Sequence, residues 1–152
     1  MKVSVYSRNK IEKLINEGRF PGNTAVVSFY NSPSKSKDVN YTHVDYSAVC
    51  DMIYYIDLDD LGFEVLRSHG FTYETFFTDA GKVAEFICQV HDKGMNLICQ
   101  CEHGQGRSAG CAAAVLEYYS RKGMVIFTDY RFNPNKVIYH KLLEALRKRN
   151  RK

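Results

Sequence analysis

The sequence predicts an α/β fold: a central, mostly parallel sheet flanked by helices, with an anion-binding loop between the last strand and a helix. Two observations carry this expectation. Stretches of strand character alternate along the chain with stretches of helical periodicity, the order that covers both faces of one sheet. The residues able to do chemistry, an acidic pair and a cysteine, fall at the carboxyl ends of predicted strands, where sheets of this class bind ligands. The 152 residues suit one domain, 1–152, around one core. A hydrophobic share of 45% and a charged share of 25% are ordinary for a soluble globular chain.

Each element has its own signal. Residues 2–6 alternate and read as the first strand. Residues 9–18 read as a short helix, with Ile11, Leu14 and Ile15 on one side and Gly18 as its stop. Residues 25–30 are apolar enough for a buried strand. Residues 31–40, with Ser32-Pro33-Ser34-Lys35, read as a polar loop, expected to be disordered rather than a lip over substrate. Residues 51–58 form the next strand, ending in Asp59-Asp60. Across residues 73–91, Phe76, Ala80, Val83, Ala84, Ile87 and Val90 recur at three-to-four spacing, which predicts a helix that Gly94 ends. Residues 95–100 form the strand that leads into the loop, and residues 108–122 form the helix behind it, ending at Gly123. The last helix is expected to begin with Asn133 as N-cap and Pro134 in its first turn, and to bury Ile138, Leu142, Ala145 and Leu146.

The loop reads Gln100-Cys101-Glu102-His103-Gly104-Gln105-Gly106-Arg107-Ser108. With five cysteines and nine arginines in the chain, a Cys-x5-Arg match arises by chance about 0.3 times. The context therefore decides. An apolar strand precedes the loop, a small-residue helix follows it, and two glycines allow close approach of a phosphate. Backbone amides and a helix N-terminus converge there on an anion. A thiol placed at that point is favoured as the nucleophilic thiolate. A guanidinium beside it offers phosphate oxygens a planar fork.

Cys101, Gly104, Arg107 and Ser108 resemble the signature loop of the protein tyrosine phosphatase superfamily, most nearly the Cys-x-x-Gly-x-x-Arg-Ser loop of its small dual-specificity-like members. Tyr130-Arg131-Phe132-Asn133-Pro134-Asn135, followed by Val137, Tyr139, Leu142 and Leu143, resembles a pattern in bacterial members; the likeness is specific from about residue 51 to residue 146. One departure stands out. The family usually has His directly before the nucleophile, where it organises the loop, and this chain has Gln100.

The resemblance implies that Cys101 attacks phosphorus to form a phosphocysteine. It implies that Arg107 and the amides of Glu102, His103, Gly104, Gln105, Gly106 and Arg107 hold the nonbridging oxygens, and that Ser108 donates to the sulfur. A general acid from the loop after an upstream strand completes the set. Aligning Ile56-Asp57-Leu58 with that strand puts Asp60 first and Asp59 second, with an insertion over residues 62–74 lengthening the path to Cys101. Alternation turns Asp57 away. The expected substrate is a phosphorylated protein or small phosphomonoester, and the lack of lysine in the loop argues for phosphotyrosine over inositol phosphates. The alternative is a phosphate- or phosphopeptide-binding module that has lost turnover, motivated by Gln100. Sulfur transfer and arsenate reduction also use a cysteine in an anion loop but fit Gly104-x-x-Arg107-Ser108 less well.

No cofactor or metal is expected: the mechanism needs none, and His43, His69, His91 and His140 show no metal-ligand spacing. The net charge of +4 comes from the end of the chain. Removing Arg147, Lys148, Arg149, Arg151 and Lys152 leaves −1. Residues 147–152 therefore read as a basic tail on a solvated helix end, and no nucleic-acid partner is expected. The sequence has no apolar run near the length of a membrane span, an N-terminus without a signal-type apolar region, and an odd cysteine count; these predict a cytoplasmic location. Oligomeric state has no signature in the sequence.

Overall fold

The computed structural model of the protein describes residues 1–32 and 40–150. Most of the expected polar loop at 31–40, and Arg151 and Lys152 of the basic tail, lie outside the described residues. In chain order the elements are β1 (Val3–Ser7), α1 (Arg8–Asn16), β2 (Thr24–Tyr30), β3 (Ile53–Asp57), 3₁₀ turns at Phe63–Val65 and Arg67–His69, α2 (Ala80–Asp92), β4 (Asn96–Cys101), α3 (Arg107–Ser120), α4 (Met124–Phe127) and α5 (Lys136–Asn150). The four strands run in the order β1-β4-β2-β3 and every pairing is parallel. The sheet expected to be mostly parallel is wholly so among the described residues.

The period of two along each strand divides the core between the two faces. Ala25, Val27 and Phe29 of β2 join Leu97, Cys99 and Cys101 of β4 in the larger cluster, which α2, α3 and α5 complete. Val26 and Ile98 point the other way, to Ile11 of α1 and to Val44, Tyr46 and Cys50. A parallel sheet covered on both faces follows from this division. Ala109, Ala112, Ala113 and Ala114 are fully buried, so α3 can lie close to the strands. α5 seals it with Ile138, Leu142 and Leu146, all fully buried, each contributing about 1.5–3 kcal/mol by burial. Ala145, expected in the same stripe, is only partly buried.

Several element boundaries differ from the expectation, and three of the differences have a clear physical cause. The helix expected over 73–91 starts at Ala80. Thr72 and Thr75 close a turn by exchanging hydroxyl bonds with each other's amides, and Phe77 adopts φ 56°, which no helix accommodates. Phe76 keeps its place in the core without being helical. α3 ends not at Gly123 but at Arg121, which takes the left-handed cap conformation, and Gly123 instead precedes the short α4. α5 is capped by Asn135, not Asn133: Asn135 Oδ1 accepts from Ile138 N at 2.9 Å. The reason is that Asn133 N and Asn135 N donate to the carbonyls of Gln105 and Gly106, which holds this segment against the loop until Lys136.

Candidate active site

β4 delivers Cys101 to the carboxyl edge of the sheet, where it is 2% exposed. Its Sγ stands 3.0 Å from Ser108 Oγ and receives Gly104 N–H at 3.3 Å. Gly104 has φ +68°, and a Cβ there would stand 2.6 Å from Ser7 N. The loop therefore lies directly on the β1–α1 junction and can do so only with glycine. Arg8 reinforces that seat: its N–H donates to Glu102 O at 3.1 Å, and its Nη1 lies 3.7 Å from Glu102 Oε2. Glu102 thus turns its carboxylate to Arg8, while His103 and Gln105 are exposed.

Arg107 is the first residue of α3 and is 4% exposed. One nitrogen, Nη1, donates to Leu58 O at 2.8 Å. Nε is buried and has no hydrogen-bond partner among the described residues. A buried guanidinium N–H left unpaired is costly, and an anion seated at the N-terminus of the 14-residue α3 would satisfy it.

The two candidate carboxylates part company. Asp60 stands at the loop: its Oδ1 accepts from Asn135 Nδ2 at 2.7 Å. Its Oδ2 occupies the space that a side chain on Gly106 would take. Asp59 is half-buried and its Oδ1 accepts from Ser32 N at 3.0 Å. The Asp57 carboxyl is raised from its ordinary value, first by partial desolvation and then by the neighbouring Asp59.

Gln100 is buried and leaves β4 on the face opposite Cys101. Its Oε1 accepts from Ser28 Oγ at 2.5 Å and Tyr46 Oη at 2.7 Å. Burial holds the Tyr46 phenol far above the ordinary tyrosine range. Cys99 and Cys111 bring their sulfurs to 3.6 Å beneath the loop, and this contact and burial push the Cys99 thiol well up. Cys88 is partly buried against the larger core cluster and accepts from Tyr119 Oη.

Sequence reasoning missed Arg8, Tyr41, Ser28 and Tyr46. Tyr41 lies under the Arg8 guanidinium at 5.5 Å and accepts from Asn31 N at 2.8 Å. Burial is the first cause that raises its phenol. Arg8 and Tyr41 reach the loop, and Ser28 and Tyr46 reach Gln100 on the other face of the sheet, only through the fold. Among the described residues, no group of three or more His, Cys, Asp or Glu could hold a metal ion, and no helix is long and apolar enough to cross a membrane.

No family model and no curated protein matches the chain. Solved structures do. The human tyrosine phosphatase-like serine/threonine/tyrosine-interacting protein is 14% identical, with 95% of this chain and 87% of that one aligned at a TM-score of 0.56. Human DUSP28 is 13% identical, covering 98% and 94%, at 0.56. Tk-PTP in its active form is 12% identical, covering 96% and 90%, at 0.56. The chain has the α/β fold of the protein tyrosine phosphatase superfamily.

Proposed function

We propose that a chain with this fold and this loop is a cysteine-dependent phosphomonoester hydrolase whose substrates are phosphotyrosine residues of proteins, with phosphoserine and phosphothreonine as secondary targets. The observation that carries the reading is Arg107: a nearly buried guanidinium with an unpaired Nε–H, at the N-terminus of α3 and in the same short loop as a buried thiol. Phosphate is tetrahedral and dianionic, and it fits both the planar fork and the loop amides. The absence of lysine from residues 101–108 favours a singly phosphorylated group over an inositol polyphosphate.

In the first step the Cys101 sulfur forms a bond to phosphorus as the bond to the leaving oxygen breaks. Asp60 gives its proton to that oxygen. In the second step water attacks the phosphocysteine, Asp60 takes the water proton, and the S–P bond breaks with Ser108 donating to the departing sulfur. Arg107 and the amides of residues 102–107 hold the three nonbridging oxygens throughout. Asp60 is the carboxylate assigned here because it borders Gly106, whereas Asp59 bonds Ser32.

The test is hydrolysis of p-nitrophenyl phosphate with EDTA present. Wild-type protein is expected to turn it over, and Cys101→Ser to abolish turnover. A folded wild type that binds vanadate but hydrolyses nothing would sink this reading. It would favour the second, a phosphate-binding module, which the neutral Gln100 before the nucleophile motivates.

A further inference from the structure

Asp60 is exposed on a connection without regular structure, yet its carboxylate is held at both oxygens. Oδ2 packs against the bare Cα of Gly106, and Oδ1 receives Asn135 Nδ2 at 2.7 Å. Asn135 is 6% exposed and belongs to a different part of the chain. Its Nδ2 also donates to Leu61 O at 3.0 Å, its Oδ1 caps α5 through Ile138 N, and its backbone N–H donates to Gly106 O at 3.0 Å. A Cβ on Gly110 would stand 2.5 Å from Asn135 O, so α3 also presses on this residue. One buried residue therefore joins the acid-bearing connection, the signature loop and the start of α5.

We infer that Asn135 is a positioning residue that sets Asp60 over the signature loop for proton transfer to the leaving oxygen; this rests on the hydrolase reading above. A cap alone does not require asparagine. Serine and aspartate cap equally well by accepting from the third helical N–H. Only a carboxamide supplies that acceptor together with N–H donors for Asp60 and Leu61. The bond to Asp60 is charge-assisted when the carboxylate is ionised, the state in which it receives the water proton. Displacing a catalytic group by about 1 Å costs on the order of 100-fold in rate, so a loop carboxylate gains most from such a tie.

The experiment is Asn135→Ser, which keeps a cap oxygen and deletes both donors, assayed as kcat/KM on phenyl phosphate and p-nitrophenyl phosphate. Phenolate leaves poorly and needs the proton, whereas nitrophenolate leaves with little help. The expected result is a loss of about 10- to 100-fold on phenyl phosphate and a much smaller loss on p-nitrophenyl phosphate. Asp60→Ala should show the same selectivity, and the double variant should lose no more than Asp60→Ala alone. Equal loss on both substrates, or additive loss in the double variant, overturns the role of Asn135 while leaving the hydrolase reading intact. A wild type that hydrolyses neither substrate overturns both. Should Asn135→Ser fail to fold, Asn135→Asp keeps the cap and sets a carboxylate against Asp60. The same selective loss is then expected, and uniform loss overturns the inference.

Discussion

Gln100 stands next to Cys101 in sequence and on the other side of the sheet in space. Its carbonyl oxygen is the shared acceptor of two buried hydroxyls, Ser28 Oγ and Tyr46 Oη. Gln100→Leu fills similar volume and leaves both hydroxyls without that partner. Each buried group so stranded costs about 1–3 kcal/mol. The expected outcome is a lower urea midpoint at unchanged m-value, the sign of a change in stability rather than in the exposed surface. A midpoint equal to wild type would show that the network contributes no stability. The same comparison, read with vanadate binding, separates support of the strand from support of the anion loop.

At the scale of the element, the loop of residues 101–108 is seated by contact with the β1–α1 junction as well as by its own composition. Gly18 and Gly104 both have φ +68°, so alanine is conformationally strained at each by about 1–2 kcal/mol. They differ in surroundings. A Cβ on Gly18 meets nothing within 4 Å, whereas one on Gly104 would stand 2.6 Å from Ser7 N and 3.0 Å from Ser7 Cα. Backbone cannot rotate aside as a side chain can. Gly18→Ala is therefore expected to lower stability by the strain alone and keep phosphate affinity. Gly104→Ala should lose more stability and also weaken vanadate binding, because the loop must lift off the β1–α1 junction. Calorimetric titration of both variants checks the difference; equal vanadate affinity would show that this contact does not shape the anion site.

For the molecule as a whole, the tyrosines set an alkaline limit. Tyr30, Tyr41, Tyr46, Tyr54, Tyr55, Tyr73, Tyr119 and Tyr139 all resist ionisation in the fold, burial being the first cause in each. Tyr73, which also donates to Glu144, is pushed up to about 12. Between the unfolded value of 10.0 and these raised values the folded state keeps protons that the unfolded state has released. Stability must then fall as pH rises. Their contribution is complete below the unfolded value and is lost as pH climbs through the folded ones. Urea midpoints at about pH 8 and about pH 11 should show this decline, and Tyr73→Phe should lessen it. A midpoint that does not move over that range would contradict the burial assigned to these phenols.

The sequence by itself determined the α/β class, the strands and most of the helices, and the position of the Cys101 loop between β4 and α3. Those features rest on periodicity and on residues within a few positions of one another, so the local chain carries them. It also ranked Asp60 and then Asp59 as candidates for a general acid but could not orient either. Tertiary structure decided that Asp60 borders the loop, through a bond to a residue 75 positions away. It decided that Gln100 is satisfied from 72 and 54 positions away, and that Arg8 and Tyr41 reach the rim. The late start of α2 belongs here too, since Phe76 has a helical spacing and a core position but Phe77 turns the chain out of the helix. Whether a polar side chain meets its partner depends on how strands and helices pack across the whole molecule, and no local pattern encodes that distance.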